Sequence, residues 1–322
     1  MKLTEQNEYA FVLSTASLLL ALNLTGAENS AERKEKKRRV CEKKRDAIKT
    51  TFSELRTAGD EKIMSSVAKS IQSKWSDDDR ALLLVDLAFS DPFFPYELKT
   101  TAKEFEKGFS SVAELIGVRG LKGINDAKAK EILAIKKDAL ESQKESRFWP
   151  ILLTASALAV VCGLGGYFAA PALAAKIGAG AGLYGAAATS YGLALLGGGS
   201  LAAGGLGMAG GLWIVTGLSA TVAGVVSTGA QLFRSMGSDQ ARGELIKLQV
   251  SFKAVLLQRP EEAVEAVKVL NKDGSDIEDF LKIEMGLNES DSTRVKDLKL
   301  KLKAIQNSIK WMNSQLMKHG RS

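Results

Sequence analysis

Apolar and polar positions divide this chain into three unequal parts. Between residues 148 and 233 about 86 residues pass with a single charge, Lys176. On either side apolar positions return every three or four residues, the spacing of helices that bury one face. Strand signals are nearly absent, because β-branched residues are sparse and do not alternate with polar ones. The pattern therefore predicts an all-α protein: helical bundle domains flanking a Gly/Ala-rich transmembrane helical hairpin. The expected divisions are an N-terminal helical domain over 1–147, a membrane-spanning or membrane-inserting module over 148–234 and a C-terminal helical domain over 235–322.

Within the first part, residues 9–24 form an apolar stretch of about 16 residues, short for a span. A buried bundle helix is the first expectation, and a membrane anchor held by the following basic run is the other. Residues 27–55 read as one long polar helix, and 61–71 as a short amphipathic one with Ile63, Val67 and Ile71 at spacing four. Ser76-Asp77-Asp78-Asp79 caps a helix N-terminus, placing acids on the positive end of its dipole. The helix it starts, 80–89, is nearly all apolar apart from Asp86. A turn rich in Pro and Phe follows, then helices over 96–116 and 125–146, separated by a glycine-broken loop at 117–123. After the apolar region come an amphipathic helix at 238–259, a helix opening on Pro260, a turn at 271–275, a short helix at 276–285 and a long one at 290–318. The last carries Val295, Leu298, Leu302, Ile305, Ile309, Met312 and Leu316 as a stripe that needs a partner, by default within the chain.

The apolar segment itself resolves into blocks. Residues 149–170 give about 22 without a charge, enough at 1.5 Å each to cross a hydrocarbon core of roughly 30 Å. Trp149 and Pro150 stand at its start and Tyr167 near its end, where aromatic belts lie. Residues 206–233 give about 28 more, with Trp213 inside and Phe233 at the end. The middle block, 172–199, holds Lys176 and is built of Ala and Gly. Arg147 and Arg234 stand just outside the region, and both flanks are basic. Basic flanks belong on the cytoplasmic side, so an even number of crossings is expected. The simplest solution is a hairpin of the first and last blocks, with the N- and C-terminal domains both cytoplasmic; three crossings is the second choice. Well over half of the chain's 30 glycines fall here. Small residues at spacing four let helix backbones approach closely in lipid. Gly178 and Gly182, Gly207 and Gly211, and Gly224 are the expected packing positions, within one hairpin or between copies in a homo-oligomer.

Charge refines the picture at one place. The net charge of +7 is accounted for by residues 33–45, where nine Lys and Arg outweigh Glu35 and Glu42. A solvated helix face explains this run; attraction to anionic headgroups is the functional reading, worth roughly 1 kcal/mol per basic residue near the surface. Lys36, Lys37, Arg38 and Arg39, with Arg147 and Arg234, are the candidate headgroup contacts. The run lacks interleaved aromatics, so no nucleic-acid partner is expected. Cys41 and Cys162 lie far apart and build no disulfide framework.

Two segments carry resemblances to known families. Leu82-Leu83-Leu84-Val85-Asp86-Leu87-Ala88-Phe89-Ser90-Asp91, then Glu97, a helix and Leu115-Ile116-Gly117-Val118, resembles the helical domain of tellurite-resistance TerB-like proteins, at about 75–135. Ser90-Asp91 stands where that family has Asp-Gly, and two prolines intrude, so the resemblance implies the domain shape and not an ion site. The Ala/Gly-rich hairpin between helical parts is similar in layout to the membrane hairpins of pore-forming colicins and apolipoprotein L-like proteins, and to the membrane module of a hydrolase-like family without its hydrolase domain.

Catalytic and cofactor signatures are not found. The single histidine, His319, sits near the C-terminus, so no His/Cys zinc set is expected. Gly205-Leu206-Gly207-Met208-Ala209-Gly210 fits a dinucleotide pattern, but no strand precedes it and no acid follows at the right distance. The expectation is a protein that is not an enzyme, uses no cofactor or metal, and oligomerises to perturb or permeabilise a membrane, as a defence effector or toxin would. A non-conducting anchor that recruits a protein partner through its helical domains is the alternative. A soluble helical toxin that hides the hairpin until it meets a membrane is the third.

Overall fold

The computed structural model describes residues 5–51, 77–93, 96, 98–118, 124–143, 237–289 and 292–320. Among them the chain is all-helical: α1 (Glu5–Gly26), α2 (Ala31–Thr51), α3 (Asp77–Ala88), α4 (Ala102–Val118), α5 (Asp126–Ser142), α6 (Ser238–Ala254), α7 (Pro260–Leu287) and α8 (Thr293–His319), with one 3₁₀ turn, Leu256–Gln258, before α7. No described helix is long and apolar enough to cross a membrane. The expected hairpin at 148–234 and the short helix at 61–71 lie outside the described residues.

α1 is a core helix. Its apolar run has no polar face to keep wet, and Val12, Leu13, Ala16, Leu20, Ala21 and Leu24 are all buried. It packs between α2 and α4, with α3 at its side. α2 turns Lys37, Val40, Cys41 and Ile48 inward and leaves most of its charges outside. α4 begins six residues later than its apolar pattern alone implies. The reason is a capping box: Thr101 Oγ1 accepts from Glu104 N–H at 3.2 Å, and Glu104 Oε2 accepts from Thr101 N–H at 2.8 Å. Asn125 caps α5 by accepting from Lys128 N–H at 2.8 Å, and α5 then buries Ala129, Ile132, Ile135, Ala139 and Leu140.

The helices on either side of residues 144–236 share one core. Buried residues from α1 to α8 form a single apolar cluster, in which α6 meets α3, α5 and α8. The stripe on α8 therefore finds its partner inside the chain, against α5, α6 and α7.

The turn expected at 271–275 is not there. α7 runs unbroken through it, burying Asp273 and Gly274. Asn271, Asp273 and Gly274 are poor helix formers, but packing overrides propensity. A Cβ at Gly274 would lie 3.2 Å from Ile305 Cγ2, so glycine lets α7 and α8 close on each other. Gly117 has a comparable role after α4: a Cβ there would run into the backbone carbonyl of Ile124.

Candidate functional site at the base of the apolar segment

The elements that bracket residues 144–236 are α5 and α6, and they are antiparallel neighbours. Gln249 Nε2 donates to Ser142 Oγ at 3.0 Å, while four residues further along α6 Lys253 lies 3.6 Å from Asp138. α8 runs parallel to α6. The Ser238 N–H donates to Asp297 at 2.9 Å, and Lys253 lies over the Trp311 ring at 5.8 Å. Gln143 closes the base, donating to Ala304 O at 3.2 Å and to Ser308 Oγ at 3.1 Å. With this pairing the C-terminal end of α5 and the N-terminal end of α6 point to the same pole of the bundle. The two helix ends that bracket residues 144–236 thus face one side of the bundle.

Below that pole lies a seam of buried polar groups. Lys247 of α6 meets Asp86 of α3 at 2.6 Å, with both side chains no more than 5 % exposed. Removing a charged pair from water is costly unless it is well matched, and losing one member of a buried pair is costlier still. Glu244 sits one turn before Lys247, buried, with Oε2 lacking a hydrogen-bond partner. Burial pushes its carboxyl up to about 7; Lys247 opposes the rise and Asp86 adds to it. Gln249 is fully buried, and its Oε1 likewise has no hydrogen-bond partner. At the other end of α3, Asp78 pairs with Arg259, so both ends of that helix are tied to the C-terminal half.

A second buried ionic group ties the connection between α1 and α2 to α2. Glu28 accepts from Lys37 at 2.9 Å and pairs with Arg33 at 3.1 Å. The Ser30 backbone N–H and then the Lys37 ammonium hold the Glu28 carboxyl down to about 2.

Of the expected headgroup contacts, the structure turns Lys37 inward. Its side chain is 1 % exposed, between Glu28 and the Phe93 ring, where it cannot reach lipid. A continuous run of charge does not distinguish the one residue that falls on the core stripe, and Lys37 lies three and four residues before Val40 and Cys41. Lys36, Arg38 and Arg39 are exposed, but each pairs on its own helix: Lys36 with Glu32, Arg38 with Glu35 and Glu42, and Arg39 with Glu35. The remaining expected residues, Arg147, Arg234, Trp149, Pro150, Tyr167, Trp213, Phe233, Gly178, Gly182, Gly207, Gly211 and Gly224, lie outside the described residues.

Sequence reasoning passed over Glu244, Gln249 and Gln143, and it counted Lys247 only as part of the basic flank that follows the apolar segment, whereas the structure buries it against Asp86. One signal was present: Asp86 is alone among apolar neighbours, and a charge in such a run needs a counter-ion. Its partner is 161 residues away and not deducible from spacing. Among the described residues no group of three or more His, Cys, Asp and Glu could hold a metal ion. No family model, curated protein or solved structure matches the chain.

Proposed function

We propose that this chain is a membrane-embedded or membrane-inserting protein that oligomerises through its glycine-rich segment to permeabilise a bilayer, with the helical bundle controlling assembly. The observation that carries the reading is the 148–233 segment, with one charge in about 86 residues. Eight Leu, Ile, Val and Phe in 149–170 favour insertion by roughly 2–5 kcal/mol on a translocon scale, whereas Lys176 in the middle block opposes it by about 3. The outer blocks are therefore the spans and the middle block the connection. The common pole at which α5 ends and α6 begins supports an even number of crossings, with both flanking parts on one side. That side is cytoplasmic by the basic flanks. The protein acts without catalysis, by what its helices do to lipid.

The test is dye release from liposomes by the full-length protein, alongside the double variant Gly207→Leu/Gly211→Leu. Leucine at those positions pushes helix backbones apart. Release by the wild type, and its loss in a variant that still floats with the vesicles, is the expected result. Flotation without release by the wild type would leave a non-conducting anchor and overturn permeabilisation.

A further inference from the structure

The pole at which α6 begins also carries an apolar tip. Leu287, Ile283 and Met285, in the last turn of α7, are 77 %, 58 % and 41 % exposed. Single exposed apolar residues are ordinary, but Ile283 and Leu287, four positions apart, share one face at the end of the helix, and Met285 stands on its other side at the same end. The tip is also held in place. Glu284, buried beneath it, meets Arg294 of α8 at 2.8 Å and accepts from Asn288 Nδ2 at 2.9 Å, and Arg294 lies 5.6 Å from the Phe280 ring. These groups fix the end of α7 before anything docks there.

Its height follows from the pairing of the helices. Gly274 faces Ile305 and Glu284 faces Arg294, so α7 and α8 are antiparallel and Leu287 stands level with the start of α8. Ser238, the first residue of α6, is level with Asp297. Leu287 therefore projects beyond Ser238 by five or six residues, about 8 Å along the bundle axis. Phe233, the last residue of the uncharged segment, is five positions before Ser238. A bilayer that receives that segment has its surface near the start of α6. A projection of about 8 Å beyond that level matches the 5–10 Å to which interfacial apolar side chains sink.

We infer that the C-terminal tip of α7 is a second membrane contact, in which Ile283, Met285 and Leu287 enter the interface of the same bilayer that takes up the 148–233 segment. The inference rests on the membrane reading above. The contact is apolar in character, carried by Ile283, Met285 and Leu287, so a zwitterionic bilayer suffices. Seated this way, the tip and the segment's two ends hold the bundle at a fixed angle on the surface.

The test places an environment-sensitive fluorophore on a cysteine at position 287 (Leu287→Cys) or, at the opposite pole, at exposed position 317 (Met317→Cys). Both are made in the full-length Cys41→Ala/Cys162→Ala chain and reconstituted in phosphatidylcholine vesicles. Quenching by lipid-attached nitroxides at 287 and not at 317 is the expected result, unchanged by salt. A label at 287 that stays in water while the protein floats with the vesicles overturns this inference and leaves the membrane reading standing. Blue-shifted emission without lipid quenching means that protein covers the tip, and also overturns it. Quenching at both sites removes the pole-specific contact. Failure to float overturns the membrane reading and the inference with it.

Discussion

Glu244 makes the stability of the bundle depend on pH between about 4.5 and 7. Its carboxyl is held at about 7 in the folded chain, against 4.5 for the ordinary side chain. Below pH 4.5 it is protonated in both the folded and unfolded states and contributes no slope. Between 4.5 and 7 the folded state binds more protons than the unfolded one, so stability falls as pH rises. Above 7 it is ionised in both, and the loss is complete. A rise of this size corresponds to about 3 kcal/mol over the window. Glu28 works in the opposite sense, because its folded value of about 2 removes stability only as pH falls below 4.5. The two windows do not overlap, so Glu28 adds no slope between pH 4.5 and 7. The charges acting on Glu244 are Lys247 on its own helix and Asp86 on α3. The perturbation is Glu244→Gln, which keeps the shape of the protonated acid and cannot ionise. Urea unfolding of the full-length chain in uncharged detergent, followed by far-ultraviolet circular dichroism from pH 4.5 to 7.5, should show a falling midpoint for the wild type and a nearly flat one for the variant. Parallel curves would refute the reasoning, since they would mean that Glu244 titrates alike in folded and unfolded chains.

Three further outcomes are expected. Lys247→Ala leaves Asp86 buried without its counter-ion and should lower stability by about 3–5 kcal/mol, whereas Lys247→Met with Asp86→Leu should recover most of it; calorimetry on the single and double variants checks both. At Gly274, valine should cost about 1–3 kcal/mol by forcing Ile305 away, while alanine should be close to neutral because a gain of up to ~1 kcal/mol in helix propensity offsets a tight contact; urea midpoints distinguish them. Thr101→Ala breaks the capping box of α4 and should cost about 1 kcal/mol, with faster amide exchange confined to the first turn of that helix by mass spectrometry.

Much of the helical layout was legible in local patterning, because a helix that buries one face must repeat its apolar residues every 3.6 positions. The stripe on α8 and the apolar run of α1 are local, and each stands where the pattern puts it. One boundary failed although its signal was local, the Thr101–Glu104 capping box that starts α4; the turn expected at 271–275 failed because its outcome was decided elsewhere. Asn271, Asp273 and Gly274 spell a turn until Ile305 of another helix arrives, and then the absent side chain becomes the reason the helix continues. Lys37 belongs to a basic run by composition and to the core by angle, and only the counter-charge of Glu28 across the turn makes the second tolerable.

What the linear order determines alone is the uncharged character of residues 148–233, since a missing charge needs no neighbour to be known. What tertiary structure decides is which groups become partners across long stretches of chain: Asp86 with Lys247, Gln143 with Ser308, and the antiparallel seating of α5 on α6. The physical reason is that burial sets the strength of a charge and the direction in which a helix end points, and burial belongs to the assembled core rather than to any one segment.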